Sequence, residues 1–260
     1  MFLPIVFSLL NNYVGQNPTV LVHGIASNQN EMTELKNHLQ NQFNLVVYTP
    51  EVGNGELTSI FAPMDRQCDL LAAEIKSYNE SVVDLVGISQ GGLLSRCYVE
   101  RYTHLHDYPN VGLLMTMGTP HMGIFYPENA VNRLVVPGYW KDPFNYGKYL
   151  KNKGFLARLN GDTRDEMTTQ YKANMVSLNR FVMIWSNIDN VINPIVSAKF
   201  EFYNITEAER TGRLVPEPLE ESWGYKNDVL GLRTLNESGR LIIIEKNCEH
   251  NKFKTVGCYN

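Results

Sequence analysis

The feature that most constrains this chain is a β-rich run that leads directly into a glycine-rich turn around a serine. Residues 82–86 are Val-Val-Asp-Leu-Val, and Gly87-Ile88-Ser89-Gln90-Gly91-Gly92 follows without a spacer. A helical pattern continues from this turn, carried by Leu93, Leu94, Cys97 and Tyr98. A G-x-S-x-G turn between a strand and a helix strains the serine backbone and exposes its hydroxyl. The sequence therefore predicts Ser89 as a nucleophile rather than a serine in a chance turn.

Strand and helix patterns alternate along the rest of the chain. The β-rich runs are residues 19–22, 45–48, 82–86, 111–117, 181–185 and 241–244. Apolar stripes at three- and four-residue spacing predict helices over 32–43 and 68–78. This alternation predicts a mostly parallel sheet with helices on both faces. A length of 260 residues suits one large domain. Together with the serine turn, the pattern predicts the α/β-hydrolase fold.

Two segments depart from the alternation. The first ten residues are almost entirely apolar, which suits the core of a secretory signal, so residues 1–18 are predicted as a signal peptide or N-terminal segment. No basic residue precedes the run, and a buried N-terminal strand or turn is the alternative. Residues from about 121 to 179 are rich in aromatics and prolines, and such an insertion between strands predicts an inserted helical lid. The hydrolase domain is then 19–260.

Several sequence features bear on the compartment. Asn-x-Ser/Thr sequons begin at Asn79, Asn204 and Asn236, and with the apolar start they favour the secretory pathway. Disulfides are then possible, and Cys68–Cys97 and Cys248–Cys258 are the pairs to test first. The apolar N-terminal run is too short to span a bilayer and no other run reaches that length, so we expect no transmembrane anchor.

A serine nucleophile needs a base, and the base needs an orienting acid. In this fold the order along the chain is serine, then Asp or Glu, then histidine. His250 follows the last strand and is the last histidine of the chain, so it is the predicted base, whereas His121 is better explained as a hydrogen-bonded structural histidine. Asp189 follows the penultimate strand and is the predicted acid, although an isolated loop carboxylate is more often only a surface residue. Asp228 and Glu201 are weaker candidates because they lie in an irregular stretch.

The oxyanion formed during acyl transfer needs two N–H donors. The fold supplies them from the residue after the nucleophile and from the loop after an early strand, which predicts the main chains of Gln90 and Ile25. His23 lies at the end of the first strand and is predicted to shape that loop. We find no metal-ligand motif, P-loop or dinucleotide fingerprint, so we expect no metal and no cofactor. The net charge of −4 and the absence of a dense basic cluster argue against nucleic acid as a partner.

With these residues in place, the chain resembles the palmitoyl-protein thioesterases along nearly its whole length. The matching segments are the Ser89 turn up to Arg96, residues 139–143 (Tyr-Trp-Lys-Asp-Pro), 155–160, 181–183, the run from Asp189 through Pro194 to Phe202 and Tyr203, 228–232, and 239–241 with the following stretch to His250. By position, the triad of the family falls on Ser89, Asp189 and His250, and its oxyanion amides fall on Ile25 and Gln90.

The resemblance implies a hydrolase that removes long fatty acyl chains from S-acylated proteins or peptides, in a lysosome, a vacuole or outside the cell. Three positions differ from the family. Asn193 stands before Pro194 where the family usually has an acidic residue, which is not the triad position. Ala26 stands where the family tends to have a second glycine, in the predicted oxyanion loop, and Cys97 is displaced along its helix relative to the paired cysteine of the family.

Two other functions remain open from the sequence. A lipase or carboxylesterase would use the same triad on oxygen esters, since both reactions pass through the same acyl-enzyme. A catalytically silent binding module would be expected to have a broken triad, whereas all three residue types are present here.

Overall fold

The computed structural model describes residues 17–127 and 138–259. Its strands are β1 (Thr19–Val22), β2 (Val47–Tyr48), β3 (Val82–Ile88), β4 (Asn110–Met117), β5 (Arg180–Ser186), β6 (Phe202–Tyr203), β7 (Pro216–Glu217) and β8 (Leu241–Lys246). Six of them form one sheet in the order β2-β1-β3-β4-β5-β8, and every neighbouring pair is parallel. Strands β6 and β7 form a separate antiparallel pair. The mostly parallel sheet predicted from the sequence is confirmed.

Ten α-helices lie in the described part of the chain. They are α1 (Thr33–Phe43), α2 (Glu56–Phe61), α3 (Met64–Ser77), α4 (Gln90–Tyr102), α5 (Tyr146–Asn152), α6 (Phe155–Leu159), α7 (Met167–Val176), α8 (Ile205–Thr211), α9 (Trp223–Lys226) and α10 (Leu232–Glu237). Short 3₁₀ turns occur at Gln29–Met32, Ile195–Lys199, Leu219–Glu221, His250–Lys252 and Val256–Tyr259. No helix in these ranges is long and apolar enough to cross a membrane.

The two faces of the sheet bury different sets of residues. On one face, Val83 and Leu85 of β3 pack in a cluster with side chains of α3, α4, α7 and α10. On the other face, Val86 and Ile88 pack with α1 and with Phe253 near the C-terminus. Both faces of β3 are therefore covered, which explains why its sequence is apolar almost throughout instead of alternating with polar residues.

The predicted strands and long helices are confirmed, with ends shifted by a few residues. The structure adds α2, and it adds six short elements (two strands, three α-helices and one 3₁₀ turn) within the stretch from 200 to 239 that the sequence indicated only as irregular. These elements are too short to show a clear hydrophobic period. In the predicted lid region the chain forms α5, α6 and α7, and α7 packs against α4 as part of the layer covering the sheet. The predicted signal segment falls almost wholly outside the described residues.

Both candidate disulfides are present. Cys68 of α3 bonds to Cys97 of α4, so the shifted position of Cys97 does not prevent the pairing. Cys248 bonds to Cys258 and closes a short loop that contains His250. In a chain-entropy model, closing a loop of this length stabilises the folded state by about 3 kcal/mol.

Candidate active site

Ser89 lies in the turn between β3 and α4 with a strained backbone. Its φ is 55° and its ψ is −125°, a backbone conformation that residues other than glycine rarely adopt. Its N–H donates to the carbonyl oxygen of Met117, 2.8 Å away, which ties the turn to the end of β4. Gly91 is required for close packing, because a Cβ there would lie 2.3 Å from the carbonyl oxygen of Val22. The glycine pattern of the sequence thus corresponds to backbone contact between the turn and β1.

The turn after β1 passes next to the serine. A Cβ added to Gly24 would lie 3.1 Å from Ser89 Cβ and 3.7 Å from its Oγ. Ile25 follows, and within the described residues neither its N–H nor that of Gln90 donates a hydrogen bond. Main-chain N–H groups without a partner near a serine are the kind of donor that an oxyanion would need.

Asp189 and His250 are hydrogen-bonded to each other. His250 Nδ1 donates to Asp189 Oδ2 across 2.7 Å, and both residues are buried. Asp189 Oδ1 accepts from the N–H groups of Val191 and Ile192, at 2.8 and 2.9 Å. These three hydrogen bonds hold the Asp189 carboxylate in place in the loop after β5. It orients the imidazole, because a carboxylate oxygen accepts the Nδ1 proton, and Nε2 lies on the side of the ring away from Asp189.

The end of β4 brings this pair to the serine. Ser89 N–H is bonded to Met117, and the next residue, Gly118, lies under the imidazole, since a Cβ there would be 3.2 Å from His250 Nδ1. Gly118 has a φ of 55°, which glycine adopts without strain. The structure therefore brings the predicted nucleophile, base and acid to the carboxyl edge of the sheet, where open α/β sheets bind ligands.

A buried hydrogen-bond network holds Gln90 and the turn after β1, and the sequence did not reveal it. Gln90 Nε2 donates to the carbonyl oxygen of Ser59 (2.9 Å) and to Gln67 Oε1 (2.8 Å). Tyr139 Oη donates to Gln90 Oε1 at 3.0 Å. Ser59 Oγ in turn accepts the N–H of Ala26 at 2.9 Å. The only indication of this network in the sequence is Gln67. It is a polar residue beside the apolar stripe of α3, on the buried side of that helix.

The other candidate residues have structural roles. His121 is fully buried, and its Nε2 is 2.9 Å from Thr116 Oγ1, so the expectation of a structural histidine is confirmed. Burial and the nearby Arg96 hold the pKa of His121 well below its ordinary value, so its ring is neutral. Asp228 forms an ion pair with Lys172, with an Oδ2–Nζ distance of 2.9 Å.

Glu201 is similarly paired, with Lys199, at 2.6 Å between Oε1 and Nζ. His23 is buried with Nδ1 3.0 Å from the carbonyl oxygen of Gly24, as expected of a residue that shapes the loop. Among the described residues, no group of three or more His, Cys, Asp or Glu side chains could hold a metal ion.

Aromatic side chains of the insertion contact the loop that carries the acid. Tyr126 Oη donates to the carbonyl oxygen of Val191, two residues after Asp189. Phe125 packs against Trp140 with ring centroids 5.5 Å apart and against Phe144 at 5.7 Å. Val191 and Phe144 remain more than one-third exposed. An apolar surface therefore adjoins the candidate site.

Comparisons with known proteins agree with this geometry. The family model described as palmitoyl protein thioesterase matches residues 18–250. Palmitoyl-protein thioesterase 3 of Dictyostelium discoideum is 34% identical, over 90% of this chain and 84% of the relative. The lysosomal thioesterase PPT2 homolog of Drosophila melanogaster is 29% identical, over 88% of this chain and 83% of the relative. A solved gene product of Listeria innocua shares the fold, with a TM-score of 0.52 and 14% identity over 94% of this chain and 91% of that one. The chain therefore belongs to the palmitoyl-protein thioesterase family, whose members are thioester hydrolases with the α/β-hydrolase fold.

Proposed function

We propose that this enzyme hydrolyses long-chain acyl thioesters of S-acylated proteins or peptides, with Ser89 as nucleophile, His250 as base and Asp189 as orienting acid. The observation that carries the proposal is the 2.7 Å hydrogen bond between His250 and Asp189 at the sheet edge, beside a serine with a strained backbone. A nucleophile, a base and an orienting group in this relation are what acyl transfer requires.

In the first step His250 Nε2 takes the Ser89 proton while Oγ attacks the acyl carbonyl carbon. The C–S bond breaks and the acyl group is left on Ser89. The cysteine leaves as a thiolate, which needs little help from an acid because thiol pKa values are near 8.5, and it then takes the proton from His250, so that the imidazole is neutral again before the second step. In the second step His250 removes a proton from water, which attacks the acyl-enzyme. The fatty acid leaves and Oγ recovers its proton.

The main-chain N–H groups of Ile25 and Gln90 stabilise the tetrahedral intermediates by donating to the oxyanion. Each such donor contributes about 3–4 kcal/mol to transition-state stabilisation in other hydrolases. The apolar surface around Phe125, Trp140 and Val191 accommodates the acyl chain, at about 0.8 kcal/mol for each buried methylene.

The test is the hydrolysis of a palmitoyl thioester by the wild-type enzyme and by Ser89→Ala. We expect the variant to lose activity and to lose labelling by a fluorophosphonate probe. The matched control Ser77→Ala removes an exposed hydroxyl that bonds only the carbonyl of Glu74, and it should retain full activity. An unchanged rate in Ser89→Ala would overturn the assignment. The same assay with the matching oxygen ester separates a thioesterase from a lipase or carboxylesterase.

We place this activity in the secretory pathway, in a lysosome or an equivalent compartment. The Drosophila relative is named a lysosomal thioesterase, and the two disulfides of this chain suit an oxidising environment.

Of the three sequons, Asn79 is the best glycan acceptor because its side chain is exposed, whereas the Asn204 and Asn236 side chains donate to Glu217 and Tyr225. Asn79→Gln should shift the mass of the secreted protein by one glycan, and an unshifted mass would exclude this site.

A further inference from the structure

A cavity of about 750 Å³ lies apart from the candidate catalytic residues. It is enclosed by α5, the β6–β7 pair and the segment from α9 to α10, with Met122, Asn160 and Phe200 among its lining residues. None of Ser89, Asp189, His250, Ile25 and Gln90 lines it. Cavities of about 300–1,000 Å³ are the size that proteins use for small-molecule ligands.

The interior of the cavity is mainly apolar. Phe202, Leu219 and Leu230 are buried lining residues that present aromatic and aliphatic surface. Lys141 also lines it, with only 3% of its side chain exposed, but its Nζ is 3.2 Å from Asp162 Oδ2. The charges of this pair compensate each other, so the interior offers no net charge to a ligand and favours an alkyl chain.

The rim of the cavity is cationic. Lys153, Arg164 and Lys226 are exposed lining residues, and none forms an ion pair within 4.0 Å in the part of the chain that the structure describes. The Arg164 guanidinium lies 4.3 Å from the ring centroid of Trp223, another residue that lines the cavity, so the two side chains are in contact at the rim.

Two carboxylates also line the cavity and bear on its charge. Glu221 is exposed, and Glu217 accepts a hydrogen bond from Asn204 Nδ2 at 2.9 Å. Burial raises the pKa of Glu217, and the charge of Lys226 opposes this rise. Three unpaired cations therefore outnumber the carboxylates that could oppose them.

We propose that this cavity is a second ligand site, which binds an anionic amphiphile with its alkyl chain in the interior and its phosphate or carboxylate head at Arg164 and Lys226. The apolar interior supplies affinity through chain burial, and the rim supplies specificity for a negative head. The guanidinium of Arg164 presents paired N–H donors to the oxygen atoms of such a head. The site is independent of the chemistry at Ser89.

The experiment measures binding of monomeric dodecyl phosphate to the whole enzyme by calorimetry. We expect one site beyond the catalytic site, with a Kd that tightens about fourfold for each methylene from octyl to dodecyl phosphate. The double variant Arg164→Glu/Lys226→Glu should weaken binding by about tenfold or more, because each substitution replaces an attraction with a repulsion. The matched control Arg66→Glu reverses an exposed cation outside the cavity and should bind as the wild type does.

Further measurements distinguish the contribution of the head group from that of the alkyl chain, and binding in the cavity from binding at Ser89. Dodecyltrimethylammonium carries the same chain with a positive head and should bind more weakly than dodecyl phosphate. Dodecanoate and dodecyl phosphate should both lose affinity in the double variant, and the tighter of the two identifies the preferred head. Equal binding by the double variant and by Arg66→Glu would overturn the proposal. So would loss of all binding after Ser89 is labelled with a hexadecyl fluorophosphonate, since the probe would then occupy the acyl site. Failure of that labelling would instead contradict the assignment of Ser89.

Discussion

Replacing Asp189 with asparagine tests the proposed triad without disturbing the loop that holds it. The asparagine Oδ1 can still accept from the N–H groups of Val191 and Ile192, which lie 2.8 and 2.9 Å from the aspartate oxygen. The other oxygen, 2.7 Å from His250 Nδ1, becomes an NH₂ group that cannot accept a hydrogen bond from Nδ1–H. The ring then loses its support or moves its proton to Nε2, the atom that must take the proton from Ser89.

The expected loss is large because the effect is on the base itself. The same substitution in a serine-protease triad lowers kcat by about 10⁴-fold, which corresponds to about 5.5 kcal/mol in the barrier. We expect a decrease of about 10³- to 10⁴-fold in the hydrolysis of a palmitoyl thioester. The free energy of unfolding should fall by only about 1–2 kcal/mol, since a single charge-assisted hydrogen bond is lost.

Asp228→Asn is the matched control. Asp228 is also a buried carboxylate, paired with Lys172 at 2.9 Å and accepting from Thr234 Oγ1 at 2.6 Å, but it lies outside the candidate site. The Asp228→Asn variant should have a lower free energy of unfolding and an unchanged kcat. An Asp189→Asn enzyme with kcat within about tenfold of the wild type would refute the assigned role of Asp189.

Three further predictions follow from buried groups. Ser59→Ala removes the acceptor of an N–H in the turn after β1, and it should lower kcat by about 10- to 100-fold, less than the loss of a whole oxyanion donor. The double variant Cys248→Ser/Cys258→Ser should lose about 3 kcal/mol of stability and also kcat, because the closed loop contains His250. Burial raises the pKa of Asp84 to about 6, above its unfolded value, so its contribution to stability is present below about pH 4 and lost as the pH rises through 6. Relative to Asp84→Asn, the free energy of unfolding of the wild type should therefore fall by about 2–3 kcal/mol between pH 4 and pH 7 in urea titrations.

Each of these has a control in the same chain. Ser77→Ala should leave kcat unchanged, and an equal loss in both serine variants would contradict the role of the turn contact. Breaking the Cys68–Cys97 bond between α3 and α4 should lower stability without a comparable loss of kcat per folded molecule. A constant difference between wild type and Asp84→Asn across this pH range would show that the buried carboxyl titrates normally.

The order of elements along the chain was sufficient to predict where the proposed catalytic residues meet. All strands of the main sheet are parallel, so the residues that follow β3, β5 and β8 necessarily emerge at one edge. Ser89, Asp189 and His250 are those residues, and a strand-by-strand prediction placed them together without knowledge of any contact. The resemblance to the thioesterases predicted the same positions from different information.

The supporting contacts could not be predicted in this way. Gln90 meets Ser59 and Tyr139, which are 31 and 49 residues away in the chain. Such pairs depend on how α2 and the insertion pack over the turn that holds Ser89. A hydrophobic period carries no information about that packing. The cavity lined by Lys141 and Arg164 was missed for the same reason, because its walls come from short elements with irregular patterns.

The alanine in the oxyanion loop shows why these contacts matter. Ala26 has a φ of 51°, in the region where glycine has no penalty and other L-residues pay about 1–2 kcal/mol. The resemblance to the thioesterases implies a glycine at this position, whereas this chain has a Cβ and holds the strained residue through the hydrogen bond from its N–H to Ser59 Oγ. Because Ser59 also accepts from Gln90 Nε2 through its carbonyl, one residue holds the segments that carry both proposed oxyanion donors. Ala26→Gly should therefore make the enzyme less dependent on Ser59, so that Ser59→Ala lowers kcat less in the Ala26→Gly background than in the wild type. Equal effects in the two backgrounds would show that the strain at Ala26 and the Ser59 contact are uncoupled.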